Sequence, residues 1–239
     1  MQQGPRSGAF LLAPVVQFCS GVLMQTHSGV DTDGHYCPFE SRANAVMAAV
    51  NRDAERTGRQ VMVAFNVTSD LDEMRRRHDL VVALGGTCIM VSLNSIGLAA
   101  MVELRRHSLL PIHAHRNGWG YLSRHPLLGW SYQAWSKLWR LAGADHMHVN
   151  GLRNKFSESD ESVIASAQAL TTPMFVDKSY IPMPVFSSAQ SVNQVTDTWH
   201  ALRHPDLIYA VGGGILAHPD GVTAGVTSLR EAWGTAMFG

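Results

Sequence analysis

Six short apolar segments, separated by stretches of helical periodicity, most constrain what this chain can fold into. None of the six shows the polar–apolar alternation of a strand with one solvated face, which favours strands that are buried on both faces. Such strands are typical of a parallel sheet whose faces are covered by helices. The segments are residues 61–67, 88–94, 111–115, 146–150, 184–188 and 207–214.

Helical patterns with start and stop signals lie between these segments. Ser69, followed by Asp72, is predicted to cap one helix, which Gly85 would end. Further helices are predicted at 41–58, 130–143 and 157–170, and a last one after Pro219. Strands that alternate with helices, without a dinucleotide-binding fingerprint, favour an α/β fold of the (β/α)8 TIM-barrel type over a doubly wound sheet.

The N-terminal part supplies too little chain for a complete barrel. A TIM barrel has eight strand–helix units, and the six clear strands all follow residue 60. Residues 1–40 would have to provide two strands and a helix, and only segments 9–16 and 15–24 are apolar enough for strands. The sequence therefore predicts a barrel that is incomplete at its N-terminal units.

Composition limits which classes of partner and which cellular compartment are expected. Basic and acidic residues are equal in number, 19 each, which gives no electrostatic reason to expect a nucleic acid or an anionic membrane as partner. No apolar run is long enough to span a membrane. The three cysteines, Cys19, Cys37 and Cys88, form no CxxC motif. We expect free thiols and a cytoplasmic protein.

Polar residues at the predicted strand ends are the candidates for chemistry, because active sites of such barrels lie there. Asn66 follows the first strand, where it could contact substrate or cap a turn. His113 and His115 share one face of the third strand, and Arg116 comes directly after them. Histidine can transfer protons near neutral pH, and the arginine fork suits a phosphate or a carboxylate.

The fourth strand carries a second His-x-His pair, His146 and His148, followed by Lys155 in a glycine- and asparagine-containing loop. Zinc bound by the two histidine pairs is one possibility, although no matching acidic ligand is evident. Lys155 could be carried by a mobile lid over the site, or it could be a solvated surface lysine.

The loops after the last two strands consist of small residues, in "FSSAQ" and "VGGGILAHP". Barrels commonly bind phosphate at these two positions through backbone N–H groups. Gly212 and Gly213 would let the backbone approach a ligand closely. The residues therefore predict a barrel enzyme that acts on a phosphorylated, anionic small molecule with histidine acid–base groups.

Four motifs in order resemble the barrel domain of the RuBisCO large-chain superfamily. They are "IHAHRNGWG", "AGADHMHVNGLRNKF", "PVFSSAQ" and "GGGILAHPDG", and the similarity runs from about residue 38 to residue 239. The lysine loop reads "RNKFSES" where CO2-fixing members have Gly-Lys-Leu-Glu-Gly, and Ser188 and Ala189 replace two glycines. These departures look like the RuBisCO-like (form IV) branch, particularly 3-oxo-isoapionate-4-phosphate decarboxylases, and argue against CO2 fixation.

The resemblance implies a Mg²⁺-dependent enzyme that forms an enediolate by decarboxylating a phosphorylated 3-oxo sugar acid. It implies catalytic roles for His115, His148 and Lys155, and a homodimeric full-length protein. It further implies contacts with the substrate or its phosphate from Asn66, Arg116, Ser187, Ser188, Gly212 and Gly213. A ketose-phosphate isomerase or enolase of the same type, or an inactive fragment that binds sugar phosphates, are the alternatives.

The family's metal site requires a carbamylated lysine followed by acids, and this is where the chain departs most. Residues 1–40 contain no lysine, and Met24, Gln25 and Thr26 stand where Lys-Asp-Asp is expected. His27 is the one candidate metal ligand at this position. We therefore interpret residues 1–26 as a divergent or out-of-family segment, and 27–239 as a partial RuBisCO-like barrel domain, from a truncated or frame-shifted reading frame or a divergent fragment.

Overall fold

The computed structural model describes residues 34–125, 127 and 129–239, and in them six parallel strands form one sheet. Each strand pairs with the next along the chain, from β1 to β6. The strands are β1 (Ala64–Asn66), β2 (Cys88–Ser92), β3 (Ile112–His115), β4 (His146–Asn150), β5 (Met183–Phe186) and β6 (Ile208–Tyr209). All six lie within or next to the apolar segments that predicted them.

Consecutive pairing is the arrangement of a barrel wall, because a doubly wound sheet reverses its strand order at a switch point. The sheet is therefore an incomplete α/β barrel, as the sequence predicted. The predicted N-terminal strands, the segment 1–26 and His27 lie outside the described residues.

One helix precedes β1, and helices follow each of the strands. They are α1 (Phe39–Thr57), α2 (Leu71–Ala83), α3 (Leu93–His107), α4 (Trp119–Ser123), α5 (Tyr132–Leu141), α6 (Asp160–Thr171), α7 (Val195–Leu202), α8 (Gly213–Leu216) and α9 (Gly221–Phe238). The predicted cap of α2 was wrong: Asp70, not Ser69, precedes this helix, and its carboxylate accepts from the Glu73 N–H at 3.0 Å. A carboxylate at this position also suits the positive end of the helix dipole.

Two groups of contacts hold the helices that surround the sheet in place. An aromatic group of Trp119, Tyr132, Trp135 and Trp139 packs with ring centroids 5.0 to 5.7 Å apart. The buried Arg140 guanidinium donates to three backbone carbonyl oxygens, which ties α5 to the segment that leads into β5. The acceptors are the oxygens of Tyr180 (2.8 Å), Ala169 (2.7 Å) and Thr172 (2.6 Å).

Within the described residues, no helix combines the length and apolarity that crossing a membrane would require. Cys37 is exposed and Cys88 is buried. Cys88 Sγ donates to the Pro111 carbonyl oxygen at 3.3 Å.

Candidate functional site

Polar side chains converge where β3, β4 and β5 end. His115 is the last residue of β3, Asn150 is the last of β4, and Ser187 follows β5 directly. Parallel pairing places these three chain ends side by side at one edge of the sheet. The third, fourth and fifth of the predicted strand ends therefore form one site.

The histidines of β3 and β4 form a buried network. His113 Nε2 lies 2.8 Å from His148 Nε2, and His148 Nδ1 lies 3.0 Å from Ser187 Oγ. The His115 ring packs on the His148 ring with centroids 4.4 Å apart. Both histidines of β3 thus contact the same residue of β4, which agrees with the prediction that they share one face of the strand.

A buried ring nitrogen of His113 assigns the tautomers of His113 and His148. His113 Nδ1 is buried and has no hydrogen-bond partner among the described residues. We take a buried ring nitrogen without a proton to cost less, when it lacks a partner, than a buried N–H group that lacks an acceptor. We therefore assign the proton of His113 to Nε2, which donates to His148, and the proton of His148 to Nδ1, which donates to Ser187.

Burial keeps these imidazoles neutral. It lowers the pKa of His115 to about 4, with a smaller contribution from the neighbouring Arg116. Burial also lowers the pKa of His113 and of His148 well below the ordinary value, and the other histidines of the cluster act in the same direction. Neutral rings that each carry one proton can donate one hydrogen bond and accept another.

A second network begins at Arg116. Its Nη2 donates to Glu158 Oε2 at 2.5 Å, and Asn150 Nδ2 donates to the same oxygen at 2.6 Å. Ser188 Oγ donates in turn to Asn150 Oδ1 at 3.0 Å. The guanidinium lies 5.2 Å from the centre of the Tyr132 ring, whose hydroxyl donates to the His148 carbonyl at 2.6 Å. Tyr132 therefore contacts both networks, through its ring at Arg116 and through its hydroxyl at His148.

The loop after β5 has a backbone that normally selects glycine. Ser188 has a φ of 69° and Ala189 a φ of 68°, and residues with a Cβ rarely adopt this left-handed region. The chain thus keeps a glycine-type conformation at the two positions where the resembling family has glycines.

The loop after β6 lies against the loop after β5. A Cβ on Gly214 would come within 2.8 Å of the Gln190 carbonyl oxygen, whereas one on Gly213 would meet nothing within 4 Å. Gly212 precedes the short helix α8, which begins at Gly213. The two predicted phosphate loops are therefore neighbours, and Gly214 is the residue that lets them approach.

The structure does not bring every predicted residue to this cluster. Lys155 is exposed, and its ammonium lies 5.5 Å from the centre of the Phe156 ring. No hydrogen bond or ion pair in the described part of the chain joins Lys155 to the histidines. Asn66 Oδ1 accepts from the N–H (3.1 Å) and the hydroxyl (2.6 Å) of Thr68, which is the turn role that the sequence also allowed.

Zinc does not fit the two His-x-His pairs. Nitrogens of His113 and His148 are 2.8 Å apart, a hydrogen-bond distance, and two ligands of one tetrahedral zinc at about 2.0–2.1 Å each would lie farther apart. The described residues contain one other candidate metal group, formed by His78, Asp79 and His107.

That group lies at the far end of the sheet from the site, since His107 ends α3 just before β3. His78 Nε2 accepts from the Leu109 N–H at 3.1 Å, so its Nδ1 carries the proton and donates to Asp79 at 2.9 Å. A protonated nitrogen is no metal ligand. We interpret the group as a structural contact that joins α2 to α3.

Sequence reasoning missed three residues of the site: Asn150, Glu158 and Tyr132. Asn150 had a usable signal, because it ends a predicted strand. Glu158 was assigned to the start of α6, and nothing in its local sequence predicts a partner 42 positions away. Tyr132 fits the apolar face of a helix, and its hydroxyl contact is visible only in three dimensions.

The fold and the site define a class: a barrel protein of the α/β type whose strand ends hold neutral histidines beside a buried arginine. A family model described as "Ribulose bisphosphate carboxylase large chain, catalytic domain" matches residues 30–239. The chain belongs to this family.

Three relatives place it on the RuBisCO-like side. It is 60% identical over 210 residues to a 3-oxo-isoapionate-4-phosphate transcarboxylase/hydrolase of Xanthobacter autotrophicus, covering 88% of this chain and 51% of that protein. It is 43% identical to a 3-oxo-isoapionate-4-phosphate decarboxylase of Rhizobium etli, covering 85% and 49%. The crystal structure of a rubisco-like protein from Burkholderia fungorum matches with a TM-score of 0.86 and 50% identity, covering 88% and 52%. The chain spans about half the length of each.

Proposed function

We propose that this chain is the barrel part of a RuBisCO-like enzyme that removes the carboxylate from a phosphorylated 3-oxo sugar acid of the 3-oxo-isoapionate 4-phosphate type. One observation carries the proposal: a buried arginine, one of whose N–H groups has no partner among the described residues, stands beside a pair of neutral histidines at the barrel mouth. The arginine suits an anionic substrate, and neutral histidines suit the proton transfers of enolate chemistry. The printed names of the relatives supply the substrate class.

The chemistry follows from a ketone placed two carbons from a carboxylate. The bond to the carboxylate carbon breaks, and its electron pair forms a carbon–carbon double bond as the ketone oxygen becomes an enolate oxygen. CO2 leaves, and a proton then adds to the carbon that carried it. The barrier falls if the site stabilises the enolate oxygen and supplies that proton.

His115 would transfer the protons. As a neutral ring it donates an N–H to the developing enolate oxygen. An imidazolium with a pKa of about 4 releases its proton readily, so His115 would take up a solvent proton only as negative charge develops and would pass it to carbon. His148 would hold the His115 ring in place by packing against it, because Ser187 and His113 fix its own orientation.

Arg116 would bind an anionic group of the substrate, the phosphate in our proposal. Ser188 and the backbone of the loops at Gly212 and Gly213 would contact the same group. Lys155 would close over the substrate by a movement of its loop, and Asn66 would line the opposite side.

Mg²⁺ would stabilise the enolate oxygens if the family's metal chemistry applies. The described residues do not fit a magnesium site, because the carboxylate of Glu158 at this strand edge is already paired with Arg116. We therefore derive no step through the metal, and His27 lies outside the described residues.

A second candidate is transcarboxylation followed by hydrolysis. It is favoured by the relative that carries this name, whose identity of 60% exceeds the 43% of the decarboxylase. Both reactions begin by breaking the bond to the carboxylate, and they differ in where the carboxylate carbon goes.

The test is turnover of 3-oxo-isoapionate 4-phosphate labelled with ¹³C in the carboxylate, followed by NMR. The proposal predicts that the label leaves as CO2 or bicarbonate faster than in buffer, and that His115→Ala removes the acceleration. Label that reappears in an organic product supports the second candidate. Label that stays in an isomerised substrate would instead indicate the isomerase or enolase, and binding without any label transfer would indicate an inactive fragment.

We further propose a cytoplasmic homodimer, as the family resemblance implies. Light scattering on the purified chain would measure the mass of the assembly in solution, and a monomer at micromolar concentration would contradict the dimer.

A further inference from the structure

The Glu158 carboxylate accepts hydrogen bonds from Arg116 and Asn150 at the strand ends. Its Oε2 receives two donors, Arg116 Nη2 at 2.5 Å and Asn150 Nδ2 at 2.6 Å, and its Oε1 accepts from Ser162 Oγ at 3.1 Å. The side chain of Arg116 is only 8% exposed and that of Glu158 only 16% exposed. Two donors that meet on one buried carboxylate oxygen form the geometry by which proteins hold a phosphate or carboxylate oxygen.

The arginine is not fully used by this partner. Arg116 Nη1 is buried and has no hydrogen-bond partner in the described part of the chain. A buried unpaired N–H of a charged group costs free energy, which a ligand with several oxygens would recover. A phosphate offers three or more acceptor oxygens, so it could satisfy both Nη1 and Nη2, which the single oxygen contributed by Glu158 does not.

Glu158 lies on the connection between β4 and α6, which also carries Lys155. Within this connection, Asn154 Nδ2 donates to the carbonyl oxygens of Gly151 and Glu158, both at 3.0 Å. Arg153 and Lys155 project from it and are exposed. The Glu158 carboxylate joins this connection to the strand end at Arg116, so releasing it would free the connection on that side.

We propose that Glu158 is an internal competitor of the substrate: its carboxylate occupies Arg116 and Asn150 until an anionic group of the ligand displaces it. The proposal rests on the proposed function in taking Arg116 as the anion site. A dianionic phosphate displaces the carboxylate because it brings more charge and more acceptors, whereas a neutral sugar does not. Glu158 therefore lowers affinity for every anion and selects for the strongly charged ones.

The experiment is isothermal titration of the chain with inorganic phosphate. We expect Glu158→Gln to bind phosphate about tenfold more tightly than wild type, which is about 1.4 kcal/mol. The matched control is Glu161→Gln, which removes the same charge from an exposed position in the first turn of α6. It leaves the affinity within twofold of wild type. Arg116→Ala weakens phosphate binding in both the wild-type and the Glu158→Gln background.

The outcomes separate the two proposals. Phosphate affinity in Glu158→Gln that equals or falls below wild type, while Arg116→Ala still weakens binding, overturns the competitor and leaves the anion site standing. Phosphate binding that does not depend on Arg116 overturns both.

Trypsin gives a readout that needs no variant, in case Glu158→Gln fails to fold. Inorganic phosphate lacks the sugar acid over which Lys155 would close, so displacement of Glu158 by phosphate must speed cleavage of the wild-type chain after Lys155. Arg153 is held by Asp197 and Asn193 and is not the reporter. Cleavage that is unchanged or slower at saturating phosphate overturns the competitor.

Discussion

Acidification should destabilise this protein through its buried histidines. His113, His115 and His148 have pKa values lowered by burial, to about 4 for His115. In the unfolded chain each returns to the ordinary value of about 6.5. The unfolded state therefore binds more protons than the folded state below pH 6.5. Their contribution to stability is complete above that pH and is lost as the pH falls toward the folded-state pKa values.

The magnitude follows from proton linkage. Between pH 7.5 and 5.5, a histidine that titrates only in the unfolded state lowers the free energy of unfolding by about 1.4 kcal/mol. Three such residues give about 4 kcal/mol. His146, whose pKa burial also lowers, acts in the same direction. Small proteins are stable by about 5–15 kcal/mol in total, so the loss is a large part of the whole.

Urea unfolding followed by tryptophan fluorescence measures this loss. At about 2 kcal/mol per molar urea, a loss of 4 kcal/mol lowers the midpoint by about 2 M from pH 7.5 to pH 5.5. His113→Leu should reduce the pH-dependent part by about 1.4 kcal/mol, whatever it does to stability at pH 7.5. His125→Gln is the control, since His125 is exposed. A midpoint that moves by less than the equivalent of about 0.5 kcal/mol would refute the claim that the cluster is neutral.

Four substitutions, one of them a control, test other parts of the structure by the same unfolding assay. Gly214→Ala should lower the free energy of unfolding by about 1–3 kcal/mol, because its Cβ would come within 2.8 Å of the Gln190 carbonyl oxygen. Gly213→Ala is the control: its Cβ meets open space, and it should cost less than about 0.5 kcal/mol. Equal costs would contradict the packing of the two loops. Ala189→Gly should stabilise by about 0.5–1 kcal/mol by relieving the φ of 68°, and a lower midpoint would contradict that strain. Arg140→Met should cost at least about 3 kcal/mol, because it leaves three backbone carbonyls without their charged donor, and a loss under about 1 kcal/mol would show that they are solvated instead.

The strands and their order were predictable because each strand lies within or next to a short, mostly apolar segment. Burial on both faces removes the alternation, so the pattern itself indicates a covered parallel sheet. Consecutive pairing then follows from short connections of one kind. Helix ends were less certain, since Ser69 and Asp70 both cap well and only the backbone conformation decides between them.

The histidines of the site were predictable from the sequence. Of the Arg116–Glu158 pair, only Arg116 was. The spacing of His113 and His115 sets a shared face, and neighbouring parallel strands bring His148 beside it. Glu158 could not be found this way, because its pairing with Arg116 depends on the path of a connection rather than on any periodic pattern. The left-handed backbone at Ala189 was hidden for a similar reason, since alanine gives no sign of positive φ.

The central claim is that Arg116 recognises the phosphate of a phosphorylated sugar acid at the barrel mouth. Calorimetric titration with the stable 3-hydroxy analogue of the substrate, with and without its phosphate group, tests this claim most directly. We predict that the phosphorylated analogue binds wild type about 10- to 100-fold more tightly than the unphosphorylated one, and that Arg116→Ala removes the difference. Equal affinities for the two analogues in wild type, or a preference that survives Arg116→Ala, would contradict the account.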